Sequence, residues 1–312
     1  MVKFLKESIL VRKLYLFVIK VVVKLQGEEK WEKKRFKFFI GKDLNLNDPH
    51  TLNEKIAWLK LYFFNDFYIR SSDKYLVHNY LEEKLGFDYA PKLLFVTQDP
   101  DNISLSKIGS FPCIMKVSNG SGANLIISNK EQYSEQYLRS FFKMQLLRSN
   151  IHTITSLEHQ YEIKRPYIVV EELLQDNNGN LPNDYKFLYI NGKLAFIYCS
   201  VDRMGQNVRQ IYDNNWKRKH FIWVEGANEE LFNKYESSTS IPAPKYFQKM
   251  KDLSSKLAAD FPLVRIDFYE TESRVYIGEI TLHHGSGHDI FYPEYYDRMF
   301  GDRLVLPLRN RY

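Results

Sequence analysis

Two cysteines in 312 residues cannot build a disulfide framework. Cys113 sits in Phe111-Pro112-Cys113-Ile114-Met115 and Cys199 in Ile197-Tyr198-Cys199-Ser200-Val201. Both settings are apolar, so a reducing compartment, the cytoplasm, is expected. Long hydrophobic runs are lacking too. The longest, between Leu14 and Lys20, falls far short of the roughly 20 residues that span a bilayer, and no small-residue cleavage site follows it. The sequence therefore predicts neither a membrane span nor a secretory signal. Beyond residue 40 there is no surplus of one charge, since 33 Lys and Arg stand against 34 Asp and Glu. That removes the electrostatic footprint of a nucleic-acid-binding body. The P-loop spacing that ends in Gly-Lys-Ser/Thr is absent, which argues against a P-loop nucleotidase.

The basic excess lies in residues 1–40, with eleven Lys and Arg against four Glu. On a helix turning about 100° per residue, Lys6, Lys13, Lys20 and Lys24 form one stripe. Ile9, Leu10, Leu14, Phe17, Val21 and Val22 lie largely away from it. Such a segment either rests on an anionic membrane surface or docks on protein. Aromatics reach 15 % of the chain. Stacking on carbohydrate or nucleotide accounts for that richness, and so does an AT-biased genome.

Thr51-Leu52-Asn53-Glu54 reads as a helix start, and Asp73 to Leu85 as a second helix closed by Gly86. Leu93–Val96, Cys113–Val117, Asn124–Ser128 and Pro166–Leu173 read as strands, with a helix from Glu131 to Leu147 among them. Asn191-Gly192 between two apolar runs predicts a hairpin of 184–190 with 193–200. A final β unit pairs Val264–Glu270 with Arg274–Leu282. Strands and helices mixed with antiparallel hairpins predict an α+β fold and not a doubly wound parallel sheet.

The last hairpin carries the most chemistry. Arg265 and Asp267 share one strand face, and Glu279 and Thr281 share a face of the next. Pairing Asp267 with Glu279 also pairs Arg265 with Thr281 and leaves a turn centred on Ser273. Opposed carboxylates about 5 Å apart repel unless a cation lies between them, and Mg²⁺ takes such oxygens. Asp267, Glu279 and Thr281 are therefore the expected metal ligands. Neither carboxylate is expected to fill the core, so neutralising either should leave the fold intact.

Lys116 precedes Asn119-Gly120-Ser121-Gly122, a cation followed by a loop rich in backbone N–H groups that can close over a polyphosphate. Glu171-Glu172-Leu173 ends a strand with acids within reach of ribose hydroxyls and backbone that can read an adenine edge. Gly285-Ser286-Gly287 either offers N–H donors to an oxyanion or is a plain tight loop. Arg203 and Arg209 flank a glycine turn, where they clamp an anionic substrate or remain solvated. His283, His284 and His288 match no helical zinc spacing.

Taken in order, these residues resemble the ATP-grasp superfamily. Thr51-Leu52-Asn53-Glu54-Lys55-Ile56, Lys116 with Asn119–Gly122, Pro182-Asn183-Asp184-Tyr185-Lys186 and Gly278-Glu279-Ile280-Thr281 are similar to the TupA-like ATP-grasp family of capsule, O-antigen and teichuronopeptide loci. The likeness runs from about residue 45 to 300. It implies two α+β lobes clasping ATP, with a basic helical segment at 1–40, an N-terminal α/β subdomain at 41–110, a central lobe at 111–173 and a metal-bearing lobe at 174–312. It implies ATP and Mg²⁺ as cofactors. Lys74 and Lys116 would contact phosphates, and Gly120, Ser121 and Gly122 would cover them. Glu171, Glu172 and Leu173 would hold adenine and ribose, with Lys186 near adenine or phosphate. Arg265 would steady the transferred phosphoryl group, and Asp267 and Glu279 would hold the metal. One departure is Thr281, where many relatives carry Asn. The implied reaction is carboxylate–amine ligation through an acyl phosphate, attaching an amino acid to a uronic acid of a surface-polysaccharide precursor. The implied location is the cytoplasm or the inner face of the plasma membrane. A glycosyltransferase of the same assembly route is the alternative, although it would want an Asp-x-Asp near a Rossmann-like start. A non-catalytic nucleotide scaffold is disfavoured by the complete Lys116, Asp267 and Glu279 set.

Overall fold

The computed structural model describes residues 9–311 except Ser121, Ala123 and residues 202–207. Five helices come first: α1 (Ile9–Gln26), α2 (Glu28–Ile40), α3 (Leu52–Tyr62), α4 (Phe67–Ser72) and α5 (Val77–Leu85). Strands β1 (Leu93–Thr97), β2 (Cys113–Val117) and β3 (Leu125–Ile127) precede α6 (Glu135–Ser156). Then come β4 (Ile168–Glu172), β5 (Asp184–Ile190), β6 (Lys193–Val201), β7 (Val208–Tyr212), β8 (Arg218–Lys219) and β9 (Ile222–Val224). After α7 (Glu229–Glu236) and α8 (Phe247–Ala258), β10 (Leu263–Glu270), β11 (Val275–Thr281), β12 (Ile290–Tyr292) and α9 (Tyr295–Gly301) complete the described elements. The architecture is α+β, as the sequence pattern predicts.

Local chemistry explains several boundaries. Thr51 caps α3 in a full capping box, its hydroxyl accepting from Glu54 N–H while the Glu54 carboxylate accepts from Thr51 N–H. The helix expected from Asp73 begins only at Val77, because the Asp73 carboxylate takes the Tyr75 and Leu76 amides into a turn. α6 starts at its Ser134 cap and runs nine residues past the expected Leu147. In that extension the inward positions are Ser149, Thr153 and Ser156, so it carries no apolar period to read. Asn191 and Gly192 both take positive φ, as the two-residue hairpin turn requires.

The chain divides into two compact units. One comprises the stretch ending at Trp31 with Asp66–Tyr80 and Pro91–Leu173. Its antiparallel sheet has the order β1-β4-β2-β3. Met115, Val117, Ile168 and Val170 pack beneath Leu138 and Phe142 of α6. The other comprises Glu32–Asn65, Leu81–Ala90 and the chain from Leu174 onward. Its six strands follow the order β11-β10-β5-β6-β7-β8, beside a small β12-β9 pair. Phe187, Phe196, Ile266 and Phe268 are buried in it. Both cysteines are buried and unpaired.

Candidate active-site clusters

In the first unit, β2 and β4 are neighbours, and Lys116 meets Glu171 at 2.6 Å with both side chains nearly sealed from solvent. Lys74 ties the following loop down. Its Nζ donates to the Gly120 carbonyl at 2.6 Å and its N–H to Ser118 O at 3.1 Å. Ser149 of α6 donates to Asn119, and a Cβ on Gly120 would press within 3.1 Å of the Ser149 hydroxyl. Gly122 takes a φ of +76°, in the left-handed region that favours glycine. The base of the glycine loop is thus fixed, while Ser121 lies outside the described residues. At the β4 end, the Glu172 carboxylate accepts from Lys92 N–H, and Leu173 N–H donates to Pro112 O at 3.4 Å.

The second unit brings the hairpin residues together. β10 and β11 pair with Asp267 opposite Glu279 and Arg265 opposite Thr281, the register read from the spacing. A bulge follows Asp267, and beyond it the ladder slips by one residue. Gly278 is required there. A Cβ at this position would fall 2.3 Å from the Tyr269 ring. On the other side of β10, Lys186 of β5 lies opposite Asp267.

Charge then organises the face. Arg265 forks onto Asp267, Nε to Oδ1 and Nη2 to Oδ2, both at 2.7 Å. Lys186 Nζ bridges Asp267 at 2.7 Å and Asp184 at 2.5 Å. Arg265 Nη2 also donates to Thr281 Oγ1 at 3.1 Å and lies 3.7 Å from the Glu279 carboxylate. Burial raises the Asp267 pKa, but Arg265 and Lys186 outweigh it and hold the carboxyl at about 2. Burial disfavours the Arg265 charge as well, and Asp267 more than restores it.

Two features depart from expectation. Asp267 is 2 % exposed and is the counter-charge of two cations, so neutralising it must cost stability. The expectation of an intact fold holds better for Glu279, whose side chain is 26 % exposed. The second feature is His284, whose Nδ1 contacts Arg265 Nη1 and whose Nε2 lies 3.0 Å from Asp289. Burial lowers its pKa, with Asp289 opposing and Arg265 adding to the effect. Because a guanidinium only donates, Nδ1 must accept, which assigns the proton to Nε2. Asp184 was legible from its i, i+2 spacing to Lys186. Nothing in the sequence marked His284 as a partner of Arg265, or Asp289 as a partner of His284.

The other predicted residues fall elsewhere. Arg209 lies on β7 with its guanidinium 5.9 Å from the Tyr198 ring centre, and Arg203 lies outside the described residues. His288 bonds to Glu32 at 3.0 Å. Ser286 and His288 spend their N–H groups on His283 O and Gly285 O, which turns the 283–288 loop on itself. Gly287 takes a φ of +78° and approaches Asn53 O too closely for a larger residue. Asp99-Pro100-Asp101 is an Asp-x-Asp triplet, but Asp99 caps a turn and Asp101 pairs with Lys143 at 2.6 Å.

Asp267, Glu279 and Thr281 offer only oxygen donors, which suits Mg²⁺. Among the described residues no group of three or more His, Cys, Asp or Glu side chains is gathered for a metal. A divalent ion here would therefore take its remaining ligands from phosphate and water, in keeping with magnesium's habit.

The sequence model of the TupA-like ATPgrasp family matches residues 54–305. No curated protein matches the chain. Among solved structures, D-alanine–D-alanine ligase from Helicobacter pylori matches at 16 % identity and TM-score 0.44, covering 83 % of this chain and 67 % of that one. ATP-grasp ligase PsnB complexed with minimal precursor matches at 12 % identity and TM-score 0.37, covering 70 % and 54 %. N5-carboxyaminoimidazole synthase from Aspergillus clavatus matches at 14 % identity and TM-score 0.37, covering 68 % and 45 %. The chain spans about half the length of the last two.

Proposed function

Because the chain belongs to the TupA-like ATPgrasp family, we propose that it is an ATP- and magnesium-dependent ligase joining a carboxylate to an amine. The acceptor is the uronic acid of a bacterial capsule, O-antigen or teichuronopeptide precursor, and the amine comes from an amino acid. The observation that carries this reading is the β5-β10-β11 face, where Arg265, Asp267, Lys186, Glu279 and Thr281 converge.

A carboxylate does not accept an amine directly, because oxide is too poor a leaving group. Transfer of the γ-phosphoryl group of ATP to a carboxylate oxygen first releases ADP and forms an acyl phosphate, from which the amine then displaces phosphate. Catalysis of such a transfer is mainly positioning and charge neutralisation. Asp267 and Glu279, with help from Thr281, would hold magnesium, which would supply charge neutralisation at the phosphates. Arg265 is pre-aimed by its fork on Asp267 and by neutral His284, so its guanidinium meets developing phosphoryl charge with little reorganisation. Lys186 serves the same face. Lys116 and Lys74 would bind the nucleotide phosphates under the Gly120–Gly122 loop, with Glu171–Leu173 at the base and ribose. Gly287 would offer its N–H to the tetrahedral oxyanion. Arg203 and Arg209 would receive the acidic substrate.

Thermal shift tests the nucleotide assignment. ATP with Mg²⁺ should raise the melting temperature, whereas ATP with EDTA should not. Stabilisation by UDP-sugars and none by ATP would favour a glycosyltransferase. ADP release that depends on both a uronic acid and an amino acid would identify the acceptor pair.

A further inference from the structure

α1 contains no acidic residue and four basic ones, Arg12, Lys13, Lys20 and Lys24. Ile19 and Val23 are buried where the helix runs along α6. At about 100° per residue, Val11, Leu14, Phe17, Val18, Val21 and Leu25 fall within an arc of roughly 120° on the opposite side. All six are exposed, Leu25 to 81 % and Phe17 to 65 %. Lys13, Lys20 and Lys24 are exposed as well and line one edge of that arc. The helix therefore covers its narrower apolar face and leaves the wider one to solvent.

That arrangement selects an occupant. Among the described residues no helix is long and apolar enough to cross a membrane. A second copy of α1 would bring the same lysines and no acid to pair with them. Anionic lipid complements both parts of the surface. Apolar side chains enter the acyl boundary, and lysines at the edge reach headgroup phosphates along their aliphatic stems. We propose that α1 is an in-plane docking helix for anionic bilayers, with the Val11–Leu25 arc immersed and Lys13, Lys20 and Lys24 among the headgroups. The proposal is independent of the ligase assignment.

Vesicle flotation of the full chain tests it. The protein should float with vesicles of phosphatidylcholine and phosphatidylglycerol, much less with phosphatidylcholine alone, and should be released by high salt. Replacing Lys13, Lys20 and Lys24 by Gln should weaken partitioning about 100-fold. Leu14→Ser with Phe17→Ser should abolish flotation even on anionic vesicles, and because both side chains are exposed the circular-dichroism melt should not move. The proposal is overturned if the parent stays unbound to anionic vesicles, or if both variants float like the parent. It is also overturned if Leu14→Ser with Phe17→Ser instead dissolves a dimer in solution, which would assign the face to a second copy.

Discussion

Lys60 and Glu32 form an ion pair at 2.7 Å in which neither side chain is exposed to solvent. Lys60 Nζ also donates to Ser286 Oγ at 2.9 Å, and His288 Nε2 reaches the same Glu32 oxygen. The pair joins α2 and α3 to the loop that follows the charged hairpin. Ser286 holds a φ of +57° in that loop, an unfavourable conformation for a residue with a side chain.

Removing one member of this pair should be far worse than removing both. Glu32→Gln or Lys60→Met leaves a buried charge uncompensated and should cost about 3–5 kcal/mol in urea unfolding. Glu32→Gln combined with Lys60→Met should recover most of that loss. Equal losses in the single and double variants would show that the pair is not electrostatically coupled.

Acid should release the same energy. Burial raises the Glu32 pKa, but Lys60 and His288 outweigh it and hold the carboxyl at about 2, below its ordinary 4.5. A depressed carboxyl contributes stability that is full above 4.5 and lost as pH falls through about 2. The contribution is about 3 kcal/mol. Parent protein should therefore lose stability across that window more steeply than the Glu32→Gln, Lys60→Met double variant. Parallel pH profiles for the two would rule the mechanism out.

The Lys116–Glu171 pair allows structure and ligand binding to be separated. Lys116→Met alone strands a buried Glu171 carboxylate and should lower the melting temperature. Adding Glu171→Gln should restore stability. If Lys116 binds phosphate and Glu171 serves the base and ribose, the repaired protein should still lack the melting shift with ATP and Mg²⁺. A full shift in the double variant would remove Lys116 from the nucleotide site.

Which of these features the sequence reveals follows from how far apart the partners lie. The Asp267–Glu279 register was legible because a hairpin fixes pairing through a short turn and a period of two. The bulge after Asp267 was not, and neither was the Tyr269 ring that leaves no room for a Cβ at Gly278, since both are set by packing. Thr51 and Glu54 announced α3 because a capping box is local. The Glu32–Lys60 pair joins residues 28 apart, and the Arg265–His284 contact crosses a loop, so neither leaves a periodic trace. Periodicity also marked α1 as amphipathic without telling which face its own unit would cover. Packing chose Ile19 and Val23, leaving the broader face exposed.

ADP release by Glu279→Gln at saturating Mg²⁺ and ATP tests the central claim most directly. Asp267→Asn should be inactive as well, but it also leaves Arg265 and Lys186 without their shared counter-charge, so its loss mixes folding with chemistry. Glu279 is more exposed, so Glu279→Gln should keep the parent's melting temperature. Thr281→Ala should cost less, because a hydroxyl is a replaceable ligand, and Thr281→Asn should retain activity. For Glu279→Gln a metal-ligand role predicts turnover reduced about 100-fold or more with the fold intact. Turnover equal to the parent's would contradict it.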